Sequence, residues 1–308
     1  MSTLLVGHGL LGAGVVRALG KTGRTAAVAQ VPWNDADAAL EALLAAARSS
    51  VVAAAGSGWR LLWCAGAGVV ATSAEQLRGE VDLVERFVAE VETPPEALFL
   101  ASSAGGVYAG STDPPFTEAH EPVPASPYGR AKLDIELAIG RLADRGSRVA
   151  IARYANLYGP GQNLTKPQGL ISQLCLSRLT GRPVQVYVST DTLRDYVYAD
   201  DAAAVAVAML DRSAGLPPGT VVTKIVATGQ TTSVLGLVSA TTRVTRRRPL
   251  LVQTSRRLGP QTLDLRLRSV VWTDLQHLVS TPLLVGLQAT AEGVAQQHRA
   301  ARLHAVHR

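Results

Sequence analysis

The sequence predicts an α/β protein built on a doubly wound parallel sheet, with a second, smaller α/β unit woven from the later chain. Two observations carry this. Short apolar runs alternate with longer helix-patterned segments through the first half of the chain, an order that lays successive strands parallel. A glycine-rich turn, Gly7 to Gly14, joins the first strand to the first helix. A length of 308 residues gives room for one large or two closely joined domains with ample core.

Taken in order, Leu4-Leu5-Val6 reads as the first strand, and Val15 to Leu19 opens a helix. Thr25 to Val31 reads as a second buried strand. From Asp35 to about Ala55 an Ala/Leu-rich helix follows, ended by Gly56 and Gly58, before the strand Arg60 to Ala65. Between Glu75 and Val91 the spacing predicts a helix with two apolar stripes, Val81/Val84/Val88/Val91 and Leu83/Phe87. Strands at Ala97–Ala101 and Arg148–Ala152 flank a helix over Ser126 to about Arg145. Its stripes are Ala131/Ile135/Ala138/Leu142 and Leu133/Leu137. Two stripes exceed what one sheet face requires, so these helices are expected to meet a second copy of the chain in a homodimer. No internal repeat or low-complexity tether appears, so the second unit is built from the later chain itself.

Composition narrows the function. Apolar residues make up 47% and charged residues 18%, which excludes a disordered chain or a coiled coil. Two cysteines, Cys64 and Cys175, give no disulfide framework. The N-terminus lacks a basic leader region, and no apolar run reaches the roughly 18 residues that span a bilayer; a soluble, cytoplasmic protein is expected. Net charge is +6. Arg246-Arg247-Arg248 and Arg256-Arg257 cluster late, without interleaved aromatics, zinc-type Cys/His spacing or a recognition-helix pattern. They read as a solvated basic face, with no nucleic-acid, membrane or metal partner expected.

Three motifs bear on chemistry. Gly7-x-Gly9-x-x-Gly12 follows a strand and opens a helix, the context in which glycines let a pyrophosphate approach a helix N-terminus; His8 beside it is either a turn residue or a phosphate contact. The second strand ends at Ala29-Gln30-Val31-Pro32, placing Gln30 where an acid usually holds the ribose diol of NAD, with no adjacent Arg for the 2′-phosphate of NADP. A carboxamide still hydrogen-bonds a diol, so NAD is favoured and NADP is not excluded. Finally, Tyr128 and Lys132 stand at i, i+4. An ammonium one turn from a phenol favours phenolate, which brings an acid/base of ordinary pKa about 10 nearer neutrality.

Around that pair the sequence becomes specific. Ser126-Pro127-Tyr128-Gly129-Arg130-Ala131-Lys132 resembles the SPYxxSK/AK segment of the extended short-chain dehydrogenase/reductase family, mostly nucleotide-sugar epimerases, dehydratases and reductases. Ala101 to Tyr108 resembles its serine-rich strand end and Arg153 to Gly161 its R-x-x-N-x-Y-G-P-G loop. Arg194 to Asp201 resembles its RDYVxVxD segment, and Thr281 to Leu287 its closing TPLxxGL.

The resemblance implies a Rossmann-type dinucleotide-binding domain over 1–160 with a returning segment at about 190–212. A nucleotide-sugar-binding domain would comprise about 161–189 and 213–308. It implies catalysis by Tyr128 as acid/base, Lys132 on the nicotinamide ribose, and Ser103. Gly7, Gly9, Leu10, Leu11, Gly12, Gln30, Ala65, Gly66 and Tyr154 would contact the cofactor together with Tyr128 and Lys132. Ser103, Ala104, Tyr128, Asn156 and Arg194 would contact a nucleotide sugar, with the Arg194 fork suited to its diphosphate. The two-striped helices are similar to the family's dimerising helix bundle.

Departures matter as much. The family's catalytic Ser/Thr position falls on Ala104, so Ser103, or Ser102 or a water, must orient the substrate oxygen. The acids with which the family's dehydratases move water across the sugar's C5–C6 bond are replaced by Ala104-Gly105-Gly106, which disfavours dehydration; the glutamate of the glucuronate decarboxylases is missing too. Cys64 to Val70 resembles the 4-epimerases' A-G-x-K-x-V with Gly68 in place of Lys. Before Trp63 there is no clear third strand of the kind that touches adenine. The resemblance therefore implies a nucleotide-sugar epimerase, with a nucleotide-sugar 4-ketoreductase as the alternative and a catalytically impaired binding scaffold as the third reading.

Overall fold

The computed structural model describes residues 1–66, 68, 72–166, 169–253 and 262–306. In chain order the first half comprises β1 (Ser2–Val6), α1 (Leu10–Gly20), β2 (Ala27–Val28), α2 (Ala36–Ala54), β3 (Trp59–Trp63), α3 (Ala74–Glu90), β4 (Ala97–Ser103), α4 (Ala104–Val107), α5 (Pro127–Gly140) and β5 (Arg148–Tyr154). The second half comprises β6 (Asn156–Tyr158), α6 (Leu170–Thr180), β7 (Val184–Val186), β8 (Leu193–Tyr198), α7 (Ala199–Ala214), β9 (Val221–Val226), β10 (Thr231–Ser233), α8 (Val234–Thr245), β11 (Leu251–Gln253) and α9 (Leu283–Val306).

Six parallel strands form the main sheet in the order β2-β1-β3-β4-β5-β9. Along β1, β3, β4 and β5 apolar strand residues alternate between two cores, as the two-residue period requires. Leu5, Leu62, Phe99, Ala152 and Val226 face α1 and α7, meeting Leu11, Val15, Val205 and Met209. Leu4, Val6, Leu61, Leu98, Leu100 and Ile151 face α2, α3 and α5, meeting Leu43, Val84, Phe87, Ile135 and Ile139. Gly14 permits the close approach of α1 to α7, since a Cβ there would stand 2.9 Å from the Ala203 methyl.

Three sequence expectations are corrected. The strand expected over Thr25–Val31 shrinks to Ala27 and Val28, paired with Leu4 and Leu5; it is the sheet's edge, with Thr25 and Ala27 exposed and Pro32 following. Secondly, α3 buries both of its stripes within its own chain, and on α5 Leu133 packs into the opposite core, leaving Leu137 at 62% exposure. Packing between the sheet and the neighbouring helices accounts for the two stripes, which by themselves do not bear on a second copy. Thirdly, β9 completes the main sheet beside β5, whereas β8 joins β6 and β10 in a separate three-stranded sheet. From the returning segment it is α7 that packs on the main sheet.

A third core of Tyr158, Ile171, Leu174, Leu237, Leu287 and Val294 gathers α6, α8 and α9 around the smaller sheets. Asp201 in the first turn of α7 ties the tail to this body, accepting from the Ser280 and Thr281 amides at 2.9 and 2.7 Å and the Thr281 hydroxyl at 2.8 Å. Beyond β9, the Glu118 carboxylate accepts the outward Ile225 amide at 2.7 Å and the Val270 amide at 2.8 Å. Among the described residues no helix is long and apolar enough to cross a membrane.

Candidate active site

The chain runs from β1 out to β2, then crosses back to β3 on the other side of β1. That reversal opens a cleft beyond the carboxyl ends of β1 and β3, where parallel sheets hold ligands. The three glycines of the first turn do different jobs there. Gly7 has φ +92°, and a Cβ would stand 2.5 Å from the Ala65 backbone, so β1 and β3 meet only because it is glycine. A Cβ on Gly12 would overlap the Gly7 carbonyl.

At Gly9, the N-cap of α1, a Cβ would meet nothing within 4 Å. No side chain caps this helix and no acid occupies its first turn. The fold leaves bare backbone and free N–H groups facing open space, which fits a pyrophosphate. Leu10 is half-buried and Leu11 lies in the core, so Leu11 offers the cleft only its backbone. His8 is exposed. Gln30 is exposed at the end of β2, its amide reaching the Val28 carbonyl at a long 3.5 Å, so its carboxamide is free to meet a ribose.

On the other wall, Ser126 caps α5 by accepting from the Gly129 amide at 3.2 Å, with Pro127 in the first turn. Tyr128 follows, half-buried. Its ring lies over Gly106, where a Cβ would be 3.0 Å from Tyr128 Cε1; a Cβ on Gly129 would overlap the Gly106 carbonyl. One turn on, Lys132 is 6% exposed, its Nζ 5.8 Å from the Tyr128 ring centroid.

The ammonium donates to Glu80 Oε1 at 2.8 Å and lies against Gly66, where a Cβ would stand 2.8 Å from Nζ. Burial presses Lys132 toward its neutral form, but Glu80, with Tyr128 and Glu136, more than offsets this, so its pKa is raised. Glu80 is the site residue that sequence reasoning missed. It lies 52 positions from Lys132 on another helix, and no spacing rule joins them.

The serines separate cleanly. Ser102 is buried and donates to Glu136 Oε1 at 2.5 Å, inside a closed network in which Arg153 holds Glu136 Oε2 at 2.7 Å and the Tyr108 hydroxyl at 2.6 Å. Ser103 is half-buried and its oxygen caps α4, accepting from the Gly106 amide at 3.1 Å, which leaves its proton to give. Gly106 thus touches both Ser103 and Tyr128. Ala104 is fully buried and its side chain brings no polar atom.

The remaining expected contacts divide. Tyr154 is turned into the core, edge-on to Phe99, and its hydroxyl donates to the Ala202 carbonyl at 2.9 Å; the structure does not bring its side chain to the cleft, because β5 alternation points it at α7. Asn156 is exposed and its amide donates to the Asp195 carbonyl at 2.9 Å. Arg194 is half-buried on β8 and donates to the Leu193 carbonyl at 2.8 Å. Burial pulls its guanidinium below the usual arginine range, only partly offset by Tyr196 and Asp264, and Asp264 is itself engaged by Arg266 at 2.8 Å. A cation so placed favours an anionic ligand. Arg246, Arg247 and Arg248 are exposed; Arg256, Arg257, Val69 and Val70 lie outside the described residues.

A glycine turn at an uncapped helix, facing a Tyr–Lys pair across the switch point of a parallel sheet, defines an enzyme of the extended short-chain dehydrogenase/reductase type. The chain belongs to the NAD dependent epimerase/dehydratase family, whose model matches residues 4–223. It is 33% identical over 108 residues to a dTDP-4-dehydro-6-deoxyglucose reductase of Escherichia coli, 34% of each chain. It is also 33% identical over 120 residues to a dTDP-L-rhamnose 4-epimerase of Burkholderia thailandensis, 38% of this chain and 32% of that one. The matches thus span about a third of these relatives. Among solved structures, MoeE5 in complex with UDP-glucuronic acid and NAD is 25% identical, with TM-score 0.77 over 96% of this chain and 100% of that one. A UDP-glucose-4-epimerase from Stenotrophomonas maltophila with bound NAD and formylated UDP-arabinopyranose shares the fold at 21% identity, TM-score 0.78, over 97% and 99%.

Proposed function

We propose that this chain is an NAD(P)-dependent nucleotide-sugar epimerase, inverting a hydroxyl-bearing carbon of a UDP- or dTDP-hexose, C4 in this reading, by way of a transient keto-sugar. The observation that carries it is the Tyr128–Lys132 pair, 5.8 Å from Nζ to ring centroid, on the wall of the cleft that α1 enters uncapped.

The bare Gly9 and the first-turn amides of α1 would hold the cofactor's pyrophosphate, Gln30 its adenosine ribose, and Lys132 its nicotinamide ribose. Bound there, the nicotinamide takes up and returns a hydride. Tyr128 accepts the proton of the sugar hydroxyl as that carbon is oxidised and gives it back when the carbon is reduced on the other face. Ser103 donates a hydrogen bond to the sugar oxygen throughout, Arg194 grips the nucleotide diphosphate and Asn156 contacts the sugar nucleotide. The lobe built on the third core supplies the sugar-nucleotide pocket. A homodimer through the outer faces of α3 and α5, around the exposed Leu137, belongs to the same reading.

A second reading, a nucleotide-sugar 4-ketoreductase, is favoured by the likeness to the dTDP-4-dehydro-6-deoxyglucose reductase. The same residues serve it in one direction. Mass spectrometry of what denaturation releases from the purified protein, followed by incubation with UDP- and dTDP-hexoses, separates the two. Retained NAD at near one equivalent, and interconversion without net change in nicotinamide absorbance that is lost in Tyr128→Phe, is the expected result. An empty protein that oxidises added NADPH or NADH mole for mole against a keto-sugar makes it the reductase. No turnover with either leaves a binding scaffold and overturns both.

A further inference from the structure

The Lys132 ammonium is committed before any ligand arrives. Glu80, half-buried on α3, accepts from Nζ at 2.8 Å through Oε1 and from the Gly68 amide at 3.2 Å through Oε2. Its carboxylate therefore clasps both the lysine and the loop that follows β3. The glycines on this loop are what the clasp requires. A Cβ on Gly66 would stand 2.8 Å from Nζ, and one on Gly68 2.6 Å from Leu77 Cδ2 and 3.3 Å from Glu80 Oε2. Where the sequence offers glycine in place of a loop lysine, the backbone N–H is spent on holding Glu80.

We propose that Glu80 is a positioning residue for the reaction: it pins the buried Lys132 ammonium one turn from Tyr128 and neutralises it, so the cleft carries an ion pair rather than a lone cation. This rests on the reading of Tyr128 and Lys132 as the reacting pair. Of the three N–H groups on Nζ, Glu80 occupies one and fixes the direction of the other two, which are those available to a ribose.

The groups facing Lys132 from each neighbouring element are few. On α5 they are Tyr128 and Glu136, but Glu136 is bound to Arg153 of β5 at 2.7 Å and to Ser102 of β4. Glu80 is thus the acid that compensates Lys132 directly, and without it burial is opposed only by the smaller pulls of Tyr128 and Glu136.

The sequence has four lysines, Lys21, Lys132, Lys166 and Lys224, so NMR of isotope-labelled lysine side chains resolves each amine, with Lys132→Met giving the assignment. In the cofactor-free native protein Lys132 is expected to titrate above the ordinary lysine range. In Glu80→Gln its midpoint falls by about one to two pH units, and in Glu80→Asp by less, while the remote Lys224, on which Glu80 does not act, stays put. The alkaline limb of kcat/KM moves down with it. A Lys132 midpoint unchanged in both variants overturns the proposal, as does a midpoint that moves while the alkaline limb does not. Should the glutamine variant fail to fold, Glu80→Asp decides alone, since a carboxylate withdrawn by one methylene must still lower the midpoint. The titration uses neither cofactor nor substrate, so it stands whether or not the epimerase reading does.

Discussion

Replacing Ser103 and Ser102 in turn distinguishes a hydroxyl that works on substrate from one that holds the fold. Ser103→Ala removes the oxygen that caps α4 at 3.1 Å from the Gly106 amide, worth about 1 kcal/mol of stability. It also removes the donor assigned to the sugar oxygen; losing such a donor in a water-excluded site costs about 10²–10³ in kcat, or about 3–4 kcal/mol of transition-state stabilisation. Ser102→Ala instead strips one bond from the buried Glu136 carboxylate, about 1–3 kcal/mol of stability, and leaves the cleft untouched. The two orders oppose each other: Ser102→Ala is the less stable variant, Ser103→Ala the less active one. Urea unfolding and steady-state kinetics of both, with Ser103→Thr as the variant that restores the hydroxyl, check this. If Ser103→Ala loses stability but keeps its kcat, Ser103 is a helix cap and nothing more, and the assignment of the donor fails.

Two further outcomes follow from buried groups. Glu136→Gln leaves the Arg153 guanidinium, 7% exposed, without its bidentate partner, and is expected to lower unfolding stability by about 3–5 kcal/mol, whereas Glu136→Leu with Arg153→Met together costs far less; a double variant as unstable as the sum of the singles would refute this. Burial raises the thiols of Cys64 and Cys175 to about 12 from an ordinary 9. The native chain then keeps protons that the unfolded chain loses above pH 9, so stability is full below that pH and falls by up to about 1.4 kcal/mol per pH unit for each thiol toward pH 12. Denaturant midpoints of Cys64→Ala and Cys175→Ala should each show a shallower alkaline decline.

The sheet and its helices were legible because strand alternation and helix caps are local. Asp35, Ser73 and Ser126 each cap the helix that their position announces, and the glycine turn stands where the first strand ends. Tyr128 and Lys132 share a helix, so their spacing alone sets them one turn apart. What escaped the sequence depends on which elements become neighbours. Leu83 and Phe87 read as a face awaiting a partner, since nothing local says that α3 is wedged between α2 and α5. Tyr154 carries a reactive side chain in the right motif, yet strand parity turns it to the core. Glu80 reads as one more solvated acid on a mixed-charge helix until α3 and α5 pack together.

Both borders of the main sheet are blunted against edge-to-edge pairing. At one border only two residues of β2 pair, too short a ribbon to template another strand; at the other, Glu118 has taken an outward amide of β9. Unpaired strand borders are where proteins polymerise edge to edge, and brevity or a buried charge is how they are blunted. Growth of a continuous sheet from one molecule into the next is opposed on both flanks, which keeps the main sheet the property of a single chain.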